Sequence, residues 1–597
     1  MITSSYGFGR HADLFVSARR ELSDLQRQLA TGARAETYGG LGPGRRVSLD
    51  ARAKLATLEG YGEVIGRAEG RVSLLSLSLE TLVKSGTKTV ESAATAGYNF
   101  GADGRTLAQN TAFHQLGLAV DALNAADVNG RYLFSGRAHD TPPVESLSLI
   151  LDGDPGTGRA GLRQLVDERR QADRGPSSPT LPAVEGRLRL TRTGASVALT
   201  ENGSAEVRSN FGFRVLGAQS LSGAITASST AGTPPDVALS FGAPVGDGDA
   251  VQVAVNRADG SQDTLTFTAR RTLTGAPDEF AIGATPADSA ASLEAALGGA
   301  EIASVQSRNP PNLTAAFSGG SAASVSLAVS AQPADGDAVR ITLGLRDGTQ
   351  TTVALTARAA ADPAKPGEFT IGATPADTAA ALAAALGRAV RSEADSTLAA
   401  ASASLAAADF FDGSRMGEPR RVAGPPFDAA SGFAPVSSDR TVIWYKGDDS
   451  GSAVRTTSPV RVDDTLTLGF GAQANEPAIR SLLSGLAAFA TAAFTDTPAE
   501  RARYDALVER MRTGAAPPAG SPKVQDIAGE IGVAAQAMAD AKARHAATEG
   551  VLTDAVSGVE RADENEVAAQ ILSLQTRLQA SYQTTAIMAQ LSLVNYL

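Results

Sequence analysis

The chain has 597 residues, no cysteine, one Trp and a formal charge of −11. Without cysteine there are no disulfides, thiolate metal sites or cysteine nucleophile, and a net acidic surface does not attract nucleic acid or an anionic membrane. An apolar fraction of 43% can build packed cores, while 5% aromatic residues describe small helices and strands rather than a large ligand pocket.

From Asp13 onward, Leu14, Ala18, Leu22, Leu25 and Leu29 recur at steps of three and four, which predicts a helix with one narrow apolar stripe that stops near Thr31-Gly32. The N-terminal sequence lacks the basic start, apolar core and small-residue cleavage site of a secretory signal. The chain is therefore expected to remain inside the cell or to leave by a route that cleaves no signal. After the loop TYGGLGPGRR, a second helix is predicted from about Val47 to about Ala96, with Leu55, Leu58, Ile65, Val72, Leu75, Leu79 and Leu82 on one face. A third is predicted to begin near Arg105, to carry Phe113, Leu116, Val120 and Leu123, and to end at Asn129-Gly130.

The middle of the chain reads as strand and contains an internal repeat. GDGDAVQVAVNRADGSQDTLTFTAR, from Gly246 to Arg270, matches ADGDAVRITLGLRDGTQTTVALTAR, from Ala334 to Arg358. Each copy alternates apolar and polar residues on two strands joined by an Asp-Gly turn. Thr285-Pro286-Ala287-Asp288 and Thr374-Pro375-Ala376-Asp377 then carry the chemistry of a capped helix start, so each copy is expected to be a β-hairpin followed by a short helix. RTVIWYKGDDSG and SPVRVDDTLTLGFG are further β-like stretches.

Two packed helices are predicted next, one capped by Asn475 with Pro477 in its first turn, the other opened by Thr497, Pro498 and Glu500 and closed at Gly514. Gly514 to Pro522 reads as a loop. From Val559 to Leu597 there is neither Gly nor Pro, and Val567, Ile571, Leu574 and Leu578 form a seam that Tyr582, Met588 and Leu591 continue. At 1.5 Å per residue an unbroken helix there would reach about 60 Å, too long to bury its stripe alone. The expected class is α+β: long N- and C-terminal helices forming a coiled coil or helical bundle, with inserted β-rich outer domains that include a duplicated ββα unit.

Catalytic constellations are not recognisable. His11, His114, His139 and His545 are far apart and fit no metal-binding spacing. Ser85 to Lys88 satisfies S-x-x-K without its companion elements. The aspartates of Asp152 to Gly158 and of Lys446 to Gly451 lack the alternating ligand set and closing Glu of a calcium loop, and read as solvated turns. No enzyme activity, cofactor or metal is expected, and no stretch approaches the roughly 18 apolar residues of a membrane helix.

LSDLQRQLATGAR (Leu22 to Arg34), NGRYLFSG (Asn129 to Gly136) and the segment Val559 to Leu597 resemble the flagellin superfamily, most of all its hook-filament junction branch, the third hook-associated proteins of alphaproteobacteria. The resemblance implies a structural component of the bacterial flagellum, extracellular and exported through the type III apparatus without a cleaved signal. It implies that the chain self-associates and contacts other flagellar axial proteins, namely flagellin and the other hook-associated protein at the junction, and that it has an export chaperone. Nucleic acid and membrane are not expected partners. It also implies an inner terminal coiled coil of residues 1–44 plus 559–597 that orders on assembly. Beside it we expect a helical rod of residues 45–145 plus 471–558, a β-rich domain of 146–225 plus 399–470, and outer repeats at 226–310 and 311–398. The expected terminal-helix and subunit interface comprises Leu22, Leu25, Leu29, Ile571, Leu574, Leu578, Leu591, Leu593, Tyr596 and Leu597. A filament flagellin is the alternative, because ETYGGLGPGRR and NGRYLFSG favour the junction branch while the length favours the filament. A secreted adhesin or surface-layer protein is a third reading, resting on the repeats.

Overall fold

The computed structural model describes residues 5–307, 311–413, 419–435, 440–450, 453–517 and 520–594. Two compact units emerge. One comprises residues 1–70, 459–468 and 532–597, the other residues 71–458 and 469–531. The expected inner domain, 1–44 plus 559–597, thus falls within a larger unit.

Helices open the chain: α1 (Ser5–Thr31), α2 (Gly44–Ala96) and α3 (Leu107–Leu123). The third is shorter than its pattern suggested. A capping box of Thr106 and Gln109 starts it, but it stops at Leu123, because Asp127 Oδ1 accepts hydrogen bonds from the backbone of Asn129 and Arg131 and folds that stretch into a turn. There follow α4 (Leu147–Asp152), α5 (Leu162–Arg174), strands β1 (Ala183–Glu185), β2 (Leu188–Thr193) and β3 (Ser196–Glu201), and α6 (Ala205–Asn210).

The repeat region begins at β4 (Arg214–Ser220) and continues through β5 (Ile225–Thr230), β6 (Asp236–Phe241), β7 (Ala250–Asn256), β8 (Gln262–Arg270), β9 (Glu279–Ala281) and α7 (Pro286–Leu297). The same order returns as β10 (Glu301–Ser307), β11 (Leu313–Ser318), β12 (Ser324–Val329), β13 (Ala338–Gly344), β14 (Gln350–Arg358), β15 (Glu368–Thr370) and α8 (Pro375–Glu393). The β7–β8 and β13–β14 hairpins turn at Gly260 and Gly348, whose φ of 93° and 82° suit glycine. The sequence pattern missed one element in each copy: β9 and β15 add as short parallel strands beside β8 and β14. Thr285 with Asp288 and Thr374 with Asp377 form capping boxes at the helix starts.

Neither copy closes its sheet with its own first strands. β4 pairs with β13, and β10 pairs with β7. β5 pairs with β12, and β11 pairs with β6. The registers correspond at a constant offset: Ser229 faces Val325 just as Phe317 faces Val237. Thr233 and Ser321, 88 residues apart, exchange reciprocal backbone hydrogen bonds at 3.1 Å where the two chain segments cross. Two separate apolar cores result. One gathers Leu239, Phe241, Val251, Val253, Phe267, Phe280, Leu293 and Leu313; the other gathers Val215, Ile225, Val325, Val339, Leu355, Phe369 and Leu386 together with β2 and β3. Strand pairing therefore runs across the expected boundary at 310/311.

After α8 a π-helical turn at Ala394–Leu398 leads into α9 (Ala399–Asp412). RTVIWYK forms no strand. Val144 and Tyr445 make only an isolated bridge, because Trp444 and Tyr445 both point inward, Trp444 donating its Nε1–H to the Phe411 carbonyl at 2.9 Å. β16 (Pro459–Arg461) and β17 (Thr467–Gly469) form a small hairpin. α10 (Pro477–Thr491) has Glu476 at its N-cap position without a side-chain cap bond, one residue later than expected, since Pro477 fixes its first turn. α11 (Pro498–Ala515) starts at Thr497, whose side chain accepts from the Glu500 amide. α12 (Val524–Glu560) and α13 (Glu564–Val594) close the chain. The uninterrupted helix expected from Val559 is broken, because Asp563 caps α13 by accepting from the Asn565 and Glu566 amides.

The larger unit holds a buried ionic network. Arg169 on α5 donates to Asp173 at 2.9 Å and to the Asn210 carbonyl at 3.0 Å. Asp173 also accepts from the Ser402 hydroxyl at 2.7 Å and the Gly212 amide at 3.0 Å. Asp409 on α9 takes Arg420 at 2.8 Å, and Phe433 lies under both Arg169 and Arg420. Removing one member strands the others without compensation. Asp173→Ala should therefore destabilise this unit by about 3–5 kcal/mol, read as a lower denaturation midpoint of Trp444 fluorescence. An unchanged midpoint would show the network to be dispensable.

Candidate functional site

The terminal helices meet in the smaller unit. Leu25 on α1 is 7% exposed and packs with Val567, Ile571 and Leu574 of α13, with Ala18, Leu22, Ala562 and Leu578 at the margin of the cluster. Phe15 stacks on Tyr582 at 5.2 Å. Of the expected interface residues, Leu22, Leu25, Ile571, Leu574 and Leu578 come together, while Leu29 is exposed. Leu591 and Leu593 lie within α13, with side chains outside the described set. Tyr596 and Leu597 lie outside the described residues. The pair leaves apolar side chains uncovered, among them Leu14 at 63% and Leu572 at 65% exposure, with Val16, Tyr582 and Ile587 also open to solvent.

Periodicity gave no hint of the corner where α12 turns into α13. There the Arg34 amide donates to the Glu560 carbonyl at 2.8 Å and the Ala562 amide to the Gly32 carbonyl at 3.0 Å, so the end of α1 is stitched to the break. The Glu560 carboxylate receives Arg52 through Nε at 2.8 Å and Nη2 at 2.6 Å, a two-pronged pair, and accepts from the Ser48 hydroxyl. These donors hold its pKa down at about 2. Gly44 opens α2 in the same corner, where a Cβ would come within 2.8 Å of Val559 Cγ1.

Nearby in this unit Tyr61 donates to Asp464 at 2.8 Å, and His545 lies 3.8 Å from Asp463. The other histidines are scattered: His11 on α1, His114 on α3 and His139 in the loop after it. Ser85 spends its hydroxyl on the Thr81 carbonyl within α2. Asp154 accepts from Gly156 and Thr157 as a local turn. Among the described residues no group of three or more His, Asp or Glu could hold a metal, and no helix is long and apolar enough to cross a membrane. A cavity of about 450 Å³ in the larger unit is lined by Arg105, Arg163, Arg170 and Arg503. Three of those arginines sit beside a carboxylate, Asp152, Asp167 and Glu500 respectively.

No protein-family model matches this chain, and no curated protein matches it. Two crystal structures of Xanthomonas campestris FlgL are similar to it, each at 11% identity. The form in space group H3 covers 85% of this chain and 99% of its own at a TM-score of 0.19; the C2 form covers 89% and 99% at 0.18. Both scores lie far below the level at which a shared fold follows.

Two outcomes test the geometry. Leu25→Ala or Ile571→Ala should cost about 2–5 kcal/mol at the seam, seen as lost amide-exchange protection in α1 and α13 with Trp444 fluorescence unchanged. Because the Glu560 pKa is depressed from 4.5 to about 2, the corner's stabilisation is in place above pH 4.5 and is lost as pH falls toward 2. The Ala562 amide should lose protection over that window, and Glu560→Gln should remove the pH dependence.

Proposed function

We propose that this chain is a structural subunit of the bacterial flagellum, placed at the junction of hook and filament and assembling through its terminal helices. The observation that carries the proposal is the seam: Leu22 to Arg34 and Val559 to Leu597, two segments that carry the flagellin-superfamily resemblance, include the leucines that pack α1 against α13. A two-helix pair with one row of contacts is marginal in water. Its exposed Leu14, Leu29, Leu572 and Ile587 gain cover when subunits stack head to tail. In this reading Leu591, Leu593, Tyr596 and Leu597 contact a neighbouring subunit, residues 1–44 plus 559–597 are the inner coiled coil, and 45–145 plus 471–558 form the rod. Residues 146–225 plus 399–470 are the next domain outward.

The constant offset in sequence and in strand register supports a duplicated unit, spanning 226–310 and 311–398 with strands exchanged between its copies, as an outer spacer. Export proceeds by the flagellar type III route with a chaperone covering the terminal helices. Other axial proteins are the partners, and no chemistry is catalysed.

Immunogold labelling should be confined to the hook-filament boundary. Labelling along the whole filament would assign the chain to filament flagellin instead. Deleting Ala589 to Leu597 should abolish incorporation while leaving Trp444 fluorescence unchanged. Normal incorporation of that truncation would refute assembly through the C-terminal helix.

A further inference from the structure

The β13–β14 hairpin tip carries Arg346, and the corresponding position at the β7–β8 tip, 88 residues earlier, is Ala258. The turn itself therefore does not need an arginine. Yet Arg346 is only 4% exposed. Its Nη2 donates to the Arg208 carbonyl, its Nε has no partner, and it makes no ion pair among the described residues. The adjacent carboxylate, Asp347, is committed elsewhere: one oxygen accepts from Thr349 and the other takes Arg510 at 2.6 Å. Burial pulls the Arg346 pKa down to about 10, with Glu201 and Asp173 pulling up and Arg214 and Arg169 pulling down. Glu201 is the strongest opposite charge acting on it, yet no carboxylate forms an ion pair with Arg346 among the described residues. A buried cation in that state calls for an anion.

Arg346 lines a cavity of about 240 Å³, together with Arg208 and Arg214, beside the crossing segments that contain Thr233 and Ser321. Both carboxylates of the lining have other duties. Glu201 accepts from the Val215 amide at 2.9 Å, and Glu301 accepts from Asn256 at 2.8 Å. Three guanidinium groups against two carboxylates leave one positive charge over, in a chain whose total is −11. This differs from the larger arginine-lined cavity, where three of the four arginines have a carboxylate alongside. Arg208 and Arg214 are half-buried, so the site is reachable from solvent. Guanidinium forks present more donors than one carboxylate can accept, and they suit a tetrahedral oxyanion.

We infer that the cavity formed by Arg346, Arg208 and Arg214 beside the strand crossing is a binding site for a small oxyanion of the phosphate or sulfate type. It holds the charge that Arg346 lacks and fastens the β13–β14 tip, the end of α6 and the crossing segments to one another.

Equilibrium dialysis of the full chain against inorganic phosphate, in chloride buffer of equal ionic strength, tests this. The wild-type chain should bind about one phosphate, with Arg346→Met weakening it roughly tenfold or more and Arg214→Ala severalfold. Trp444 fluorescence reports whether each variant is folded. Should Arg346→Met fail to fold, Arg214→Ala alone decides. Absence of phosphate binding by the wild type, or a folded Arg346→Met or Arg214→Ala chain that binds as tightly as the wild type, would overturn the assignment.

Discussion

Neither α1 nor α13 can bury its leucines by itself. A helix of this length is marginal in water unless a partner covers its apolar stripe, and each finds that partner at the opposite end of the chain, through Leu25, Val567, Ile571 and Leu574. That single constraint brings the first and last helices of the chain into one unit. The seam is secured at one end by Glu560, which ties α2 to the α12–α13 break through Arg52 and Ser48. Leu14 and Val16 on α1 and Leu572 and Ile587 on α13 stay open to solvent.

The larger unit uses a different principle. Its helical base is organised by buried charge, with Arg169, Asp173, Asp409 and Arg420 satisfied by one another and by backbone groups. Such networks contribute geometric definition more than net stability. Its β-rich part is organised by exchange: each apolar core is completed by strands from the other copy.

Much of this was legible in the sequence, and the failures have physical reasons. The stripe of α1, the long α2, the seam of α13 and both Thr–Asp helix caps follow from spacing and capping chemistry alone. The break at Arg561 to Asp563 did not, because one aspartate cap outweighs a run of good helix formers. Asn129-Gly130 reads as a helix end, yet the helix stops at Leu123 and Asp127 folds the stretch from Asn129 to Arg131 into a turn. RTVIWYK has strand composition, yet its aromatic residues serve as core anchors without forming a strand. Strand exchange is invisible in principle, since a repeat reads the same whether each copy closes on itself or on its sibling. Arg346 could have been noticed as an arginine at a hairpin tip where the other repeat has alanine, although its burial could not.

The crossing at Thr233 and Ser321 brings equivalent points of the sequence repeat side by side. Thr230 and Ser324 are already paired across the sheet, so excising residues 236–323, one period of 88, would leave β5 and β12 joined by the short loop 231–235 as an ordinary hairpin. What remains, β4, β5 and β12 to α8, keeps all of its strand pairings, including that of β12 with β3.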